Sequence, residues 1–250
     1  MKNTVKVQEV NPSFTDRRNF LKFSGLAIAG TGLLLAGCSD TDDGDSSNSN
    51  ELPGMRNNVF DLGGGDFGIL SYAYALEQLE ADFYEKVVNA NGFTSTFNPI
   101  EQQVLTDLYH HEIIHRDFFK AALSGALPNP STQLLPELAF DYGSLNFQNR
   151  AAVLGTAQAL EDTGVAAYNG AGQYIKDAKY LVLAGKIVSV EARHASAIRS
   201  LINPNSKDFA GDDVVNSTTG LDVARNPKVI IGEVSALDII QTPFTAQFLP

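Results

Sequence analysis

Two short formulas in this chain put carboxylates, phenols and imidazoles at helical spacing. Ala75-Leu76-Glu77 is followed seven residues on by Tyr84, and Ala159-Leu160-Glu161 by Tyr168. Between and after them stand Glu112-Ile113-Ile114-His115 and Glu191-Ala192-Arg193-His194. Seven residues make nearly two turns, so each Glu shares a helix face with its Tyr. Residues three apart are surface neighbours, so each Glu-x2-His can offer a carboxylate and an imidazole to one ion pair. With all four faces turned inward, Glu77, Glu112, Glu161 and Glu191 converge with His115 and His194. Four buried carboxylates without partners would be prohibitive. Two divalent cations neutralise them and leave both imidazoles neutral. The chain has 4 His and eleven Glu, for which chance gives about 0.2 Glu-x2-His matches. Two matches, each paired with an aligned Glu-x6-Tyr, are therefore a specific signal.

The neighbouring groups read more plainly. Tyr84 and Tyr168 are core aromatics, or stand beside the ligands with a catalytic, redox role. Glu80 competes with Glu77 for the ligand position, and the repeat with Glu161 favours Glu77. His110 and His111 fall outside the formula and read as surface residues. His111, one turn before His115, has the alternative of a place beside the ligands. Asp162 and Glu85 read as solvated.

Four helices must carry these units. From Asp66 to about Ala90, Ile69, Tyr72, Leu76, Leu79, Phe83 and Val87 recur at spacings of three and four. Asn98-Pro99-Ile100-Glu101 opens a second helix with Asn at the cap, Pro at the first position and Glu three after the cap. Val104, Leu108, Ile113 or Ile114, Phe118 and Leu123 form its expected stripe, and Gly125 its end. Residues 126 to 145 lack helical periodicity and hold Pro128, Pro130 and Pro136. A third helix runs from about Phe147 to Ala171, with Gly155, Gly164 and Gly170 available for close packing. Asp177 caps a fourth that ends near Ile202. Connections that are short, long and short make an all-α four-helix bundle with one crossover. Residues 205–250 carry a polar stretch and β-branched runs such as Val229-Ile230-Ile231, and are expected as an irregular C-terminal extension on the bundle or against another chain.

These motifs make residues 63–204 resemble the ferritin-like superfamily, and more closely the exported bacterial ferritin-like domain proteins related to plant desiccation-associated proteins. The resemblance implies two iron ions, or manganese, held by Glu77, Glu112, His115, Glu161, Glu191 and His194, with dioxygen or peroxide chemistry. It implies an oxidoreductase of the ferroxidase or peroxidase type. The alternatives are a di-manganese, catalase-like enzyme and a non-enzymatic protein of stress or desiccation protection. An electron donor is implied without being identified, and a homodimer is among the assemblies left open. One cysteine cannot build a rubredoxin-type centre.

The N-terminus reads as an address. Arg17-Arg18-Asn19-Phe20-Leu21-Lys22 resembles a twin-arginine signal, and the apolar run behind it, too short to span a bilayer, ends at Leu35-Ala36-Gly37-Cys38. That ending resembles the lipobox of bacterial lipoproteins, whose cysteine is acylated. Residues 1–37 are thus expected as a lipoprotein signal peptide, Cys38 as the lipid anchor to a membrane, and the bacterial cell envelope as the location. Cleavage would remove five basic and two acidic residues, taking the net charge from -11 to about -14. Residues 38–62, rich in Asp, Ser and Asn at their start, are expected as a flexible acidic tether. An acidic chain without a basic block is no candidate for nucleic-acid binding.

Overall fold

The computed structural model describes residues 50–250. The signal peptide, Cys38 and the start of the tether lie outside the described residues. In chain order the elements are β1 (Gly54–Arg56), β2 (Val59–Asp61), α1 (Gly65–Val88), α2 (Phe93–Thr96), α3 (Pro99–Ala126), α4 (Pro130–Gln133), α5 (Arg150–Gly172), α6 (Ala178–Ile202), α7 (Pro227–Ala236) and β3 (Phe244–Thr245). A single 3-10 turn spans Asp208–Ala210. The fold is an all-α bundle of the four long helices α1, α3, α5 and α6, with a small three-stranded sheet. α1 packs along α3, and α5 along α6.

Local chemistry starts each long helix where the sequence signals it. Asn98 Oδ1 accepts from the N–H groups of Ile100 and Glu101, while Glu101 Oε2 accepts from Asn98 N at 2.9 Å. This reciprocal cap satisfies N–H groups that the first turn of α3 would otherwise leave unpaired. Glu101 also binds Arg150 Nε at 2.7 Å, and Arg150 donates to the Leu201 carbonyl, so the cap of α3 also ties α5 to α6. Asp177 caps α6 through Lys179 N. Asp66, in the first turn of α1, accepts from the N–H groups of Lys176 and Asp177 and holds the α5–α6 connection to α1.

The expected stripe of α1 is wholly buried. That of α3 is not as expected. Its buried face is Leu105, Leu108, Glu112, His115, Phe119 and Leu123, whereas Ile114 is 62% and Phe118 37% exposed. The polar pair Glu112 and His115 takes the inward face, so the flanking apolar residues turn outward. Apolarity alone misassigns that face.

α1 is enclosed on nearly every side, and the crossover after α3 is part of the enclosure. Gln78 of α1 accepts from Leu138 N at 2.9 Å and donates to the Pro136 carbonyl. Tyr142 OH donates to the Leu79 carbonyl. The crossover in turn pairs with the C-terminal extension, through Asp141 N to Ile239 O and Gln241 N to Ala139 O.

Two segments are more ordered than composition suggests. Residues 50–62, expected within the tether, hold β1 and β2 as an antiparallel pair, and β3 joins β2 in parallel. Their anchor is Asp61, which is fully buried. Its carboxylate accepts from Gly63 N, Thr245 Oγ1 and Gln247 N and faces Arg56 at 3.5 Å. In the extension, Val229-Ile230-Ile231 is helical, within α7. Asn226 caps it through Lys228 N and Pro227 stands at its first position, and this local chemistry outweighs β-propensity. Ile230 and Val234 are its buried contacts.

Glycine lets the extension lie on α5. A Cβ on Gly170 would stand 1.7 Å from the Arg225 carbonyl oxygen, while Arg225 N donates to the Ala166 carbonyl. Gly155, by contrast, is exposed and meets nothing. Asp61→Ala removes the buried acceptor joining β2 to the segment around Thr245 and Gln247 and should cost about 3 kcal/mol, as loss of a buried, multiply hydrogen-bonded charge does. Urea unfolding monitored by circular dichroism measures it.

Candidate metal centre

The four long helices bring six side chains to one point in the bundle. Glu77 comes from α1, Glu112 and His115 from α3, Glu161 from α5, Glu191 and His194 from α6. All four carboxylates are 0% exposed. Ligand-type atoms of Glu77, Glu112, His115 and Glu191 lie within 4.8 Å of one another, and so do those of Glu112, Glu161, Glu191 and His194. Glu112 and Glu191 belong to both groups.

The shared pair is divided oxygen by oxygen. His115 Nδ1 stands 2.7 Å from Glu191 Oε1, 3.5 Å from Glu77 Oε2 and 3.6 Å from Glu112 Oε2. His194 Nδ1 stands 2.7 Å from Glu112 Oε1, 3.3 Å from Glu191 Oε2 and 3.6 Å from Glu161 Oε2. Each central glutamate therefore sends one oxygen to each imidazole. These approaches are close without being aligned as hydrogen bonds. Both oxygens of Glu112 and of Glu191, one each of Glu77 and Glu161, and Nδ1 of both histidines are buried without a hydrogen-bond partner. Buried polar atoms are normally paired. Eight orphans aimed at two points, all carboxylate oxygen or imidazole nitrogen, fit a pair of iron, manganese or similar cations.

Each outer carboxylate is held by a phenol from the opposite half. Tyr84 OH of α1 donates to Glu161 Oε1 at 2.6 Å, and Tyr168 OH of α5 donates to Glu77 Oε1. This crossed pairing requires α1 and α5 to run antiparallel. It leaves the other oxygen of each glutamate facing an imidazole, which is how an outer hydrogen bond orients a ligand. Burial, then the adjacent carboxylate, raises both phenol pKa values well above the usual one, so both tyrosines stay protonated and act as donors.

Without a cation, the cluster stores protons. Burial disfavours charge on His115, but contacts with Glu112, Glu191 and Glu77 outweigh it and push its pKa up to about 12. His194 is likewise pushed up to about 11, by Glu112 and Glu191 against burial. Burial would raise Glu112, yet the two imidazoles hold it at about 2. Glu77 and Glu161 lie well above the usual carboxylate range because of burial and neighbouring carboxylates.

Glu80 does not join either ligand group, although it is 2% exposed. It lies against α5, where a Cβ on Gly164 would come 2.7 Å from Glu80 Oε1. Burial and then the charges of Glu112, Glu191, Glu161 and Glu77 push its pKa well up, which favours its protonated form. Asp162 is not simply solvated. It forms a two-point ion pair with Arg199, which is 4% exposed and is also held by Asp213. Sequence reading missed Arg199, whose only signal was a lone cation near the end of α6. His110 and Glu85 are exposed, as expected. His111 is exposed, yet its Nδ1 lies 2.9 Å from His194 Nε2 on α6.

One face of the site reaches solvent. Between α3 and α6 an open groove of about 380 Å³ is lined by His111, His115, His194, Asp107, Val190 and Arg193 among others. No helix among the described residues is long and apolar enough to cross a membrane.

A four-helix bundle with two Glu-x2-His helices and two carboxylate-bearing helices defines a class of carboxylate-rich, candidate metal-binding proteins. Residues 65–204 match the family described as ferritin-like domain, and the chain belongs to it. No curated protein matches the chain.

Metal ligation needs neutral imidazole and ionised carboxylate, so loading must expel the stored protons. At pH 7 both histidines lie far below their folded pKa values and are charged. Binding should release about two protons from them, and further protons from Glu77 and Glu161. Apparent affinity therefore rises with pH and falls on acidification. Calorimetric Fe(II) titration under anaerobic conditions, in buffers of different ionisation enthalpy, reads the proton count.

Proposed function

We propose that this is a ferritin-like protein whose bundle holds a di-iron centre and couples Fe(II) oxidation to reduction of dioxygen or peroxide at the cell envelope. The observation that carries this reading is the division of Glu112 and Glu191 between the two imidazoles. Two groups of ligand atoms share those glutamates, and each adds one further carboxylate and one histidine.

Glu77, Glu112, His115 and Glu191 would hold one ion, and Glu112, Glu161, Glu191 and His194 the other. A ferrous pair supplies two electrons at one point. The chain's own residues set the conditions for their use. Tyr84 and Tyr168 fix the outer carboxylates, so the ligand geometry is organised in advance. Leu76, Phe119 and Leu160 belong to the buried core around the bundle's interior, and solvent reaches the site through the groove between α3 and α6. In its protonated form, Glu80 supplies a buried acid beside the cluster without adding charge. Charge also favours this use: four carboxylates balance two divalent ions.

Purified full-length protein, loaded anaerobically with Fe(II), should bind two iron per chain and oxidise them on exposure to oxygen, as read by metal analysis, absorbance and Mössbauer spectroscopy. Absence of bound transition metal together with absence of Fe(II) oxidation overturns the reading. Manganese in the purified protein with peroxide dismutation would replace iron by manganese. Glu112→Ala or Glu191→Ala removes a ligand from both groups and should abolish loading at both positions.

The envelope location rests on the lipobox-like Leu35-Ala36-Gly37-Cys38. Cys38 would carry the lipid, and the acidic residues after it would space the bundle from the membrane. Cys38→Ala should move the protein from the membrane to the soluble fraction after cell fractionation. An unchanged distribution removes the anchor.

A further inference from the structure

The two halves of the site repeat one formula, but they differ on the outer side of the imidazoles. His194 Nδ1 faces Glu112, Glu161 and Glu191, and its Nε2 lies 2.9 Å from His111 Nδ1. The two rings are nearly parallel, 12° apart with centroids at 5.2 Å. In the other half, His115 corresponds to His194, and the residue four before His194 is Val190. Val190 lines the same groove and offers no hydrogen-bonding group. His115 accordingly has no hydrogen-bond partner on its outer nitrogen among the described residues, and its side chain is 10% exposed against 4% for His194.

We propose that His111 is a positioning residue for His194, and that it makes the two metal positions unequal. The inference rests on the metal-binding reading above. A neutral imidazole carries one ring proton. If Nδ1 of His194 turns its lone pair to a cation, that proton is on Nε2 and is donated to His111 Nδ1. His111 then carries its own proton on Nε2 and presents it to solvent. The hydrogen bond locks the tautomer and ring orientation of His194 and raises its basicity, as outer partners of metal-bound histidines do. His115, with Val190 in the sequence position that His111 takes in the other half, has no such partner among the described residues. The His194 position is the tighter one, and the His115 position exchanges with solution through the groove between α3 and α6.

The test uses Co(II) as the probe, added to the full-length protein and followed by visible absorbance. Wild type should take up two Co(II) with distinct affinities. His111→Ala should weaken the tighter of the two by about 10–100-fold and leave the other unchanged. His111→Asn, whose amide oxygen can stand near the place of Nδ1, should restore it. In proton NMR of the Co(II)-loaded protein, the shifted ring N–H of His194 should exchange with D2O more slowly than that of His115, and lose this protection in His111→Ala. Unchanged affinities and exchange in His111→Ala overturn the role of His111. Failure of His111→Asn to restore what His111→Ala loses does so as well. If wild type itself takes up no Co(II), the metal-binding reading falls with it, which separates the two failures.

Discussion

Four carboxylates buried within a few ångströms of one another are the constraint on which this molecule is built. Their desolvation and mutual repulsion oppose the fold, and no apolar packing nearby can cancel a charge. The chain answers with two imidazoles, which hold Glu112 ionised, and with two phenols, which tie down Glu161 and Glu77. It leaves eight ligand-type atoms unpaired at the centre. An arrangement that keeps so many polar atoms orphaned stores instability there, and a cation pair is the simplest means of relieving it. A cation that binds the native cluster alone would stabilise the native state.

The surrounding architecture makes that cluster rigid. Each helix contributes one or two of the six side chains, so a shift of α3 or α6 would spoil both groups and a shift of α1 or α5 one of them. The ties between helices sit at their ends: the Asn98–Glu101 cap continues into Arg150 and Leu201, and Asp66 binds the α5–α6 connection. α1 carries Glu77 and the buried Glu80, and it is the most enclosed helix. The crossover covers it through Gln78 and Tyr142, and the extension pairs with the crossover. Gly164 leaves room for Glu80 and Gly170 for the Arg225 backbone. The extension thus belongs to the enclosure of the bundle.

The near-symmetry of the site ends at its solvent side. Inside, the two halves share the same six-residue formula and the same crossed tyrosines, and differ in Glu80 of α1, which stands against Gly164 at the corresponding place of α5. At the groove, His111 on one side and Val190 on the other give the two imidazoles different surroundings. A repeated formula can place side chains in equivalent positions and still leave the two imidazoles with different exposure to solvent.

The helices, and the side chains that each presents on one face, are legible in the order of the amino acids. Spacings of three, four and seven are properties of one helix, and the Asn-Pro-x-Glu and Asp caps are local chemistry, so both are legible without a fold. Locality also limited what could be read. Which tyrosine meets which glutamate depends on α1 and α5 being antiparallel, a relation between segments far apart in the chain. The same holds for His111 against His194, for Arg199 between Asp162 and Asp213, and for Asp61 joined to Thr245. The stripe of α3 was misread because a buried Glu and His occupy the face that apolar counting assigns elsewhere. Residues 50–62 read as tether because their order comes from β3 and Asp61, not from their own composition. Only the tertiary structure decides such pairings, because a side chain's partner across the bundle is set by packing and not by its neighbours in sequence.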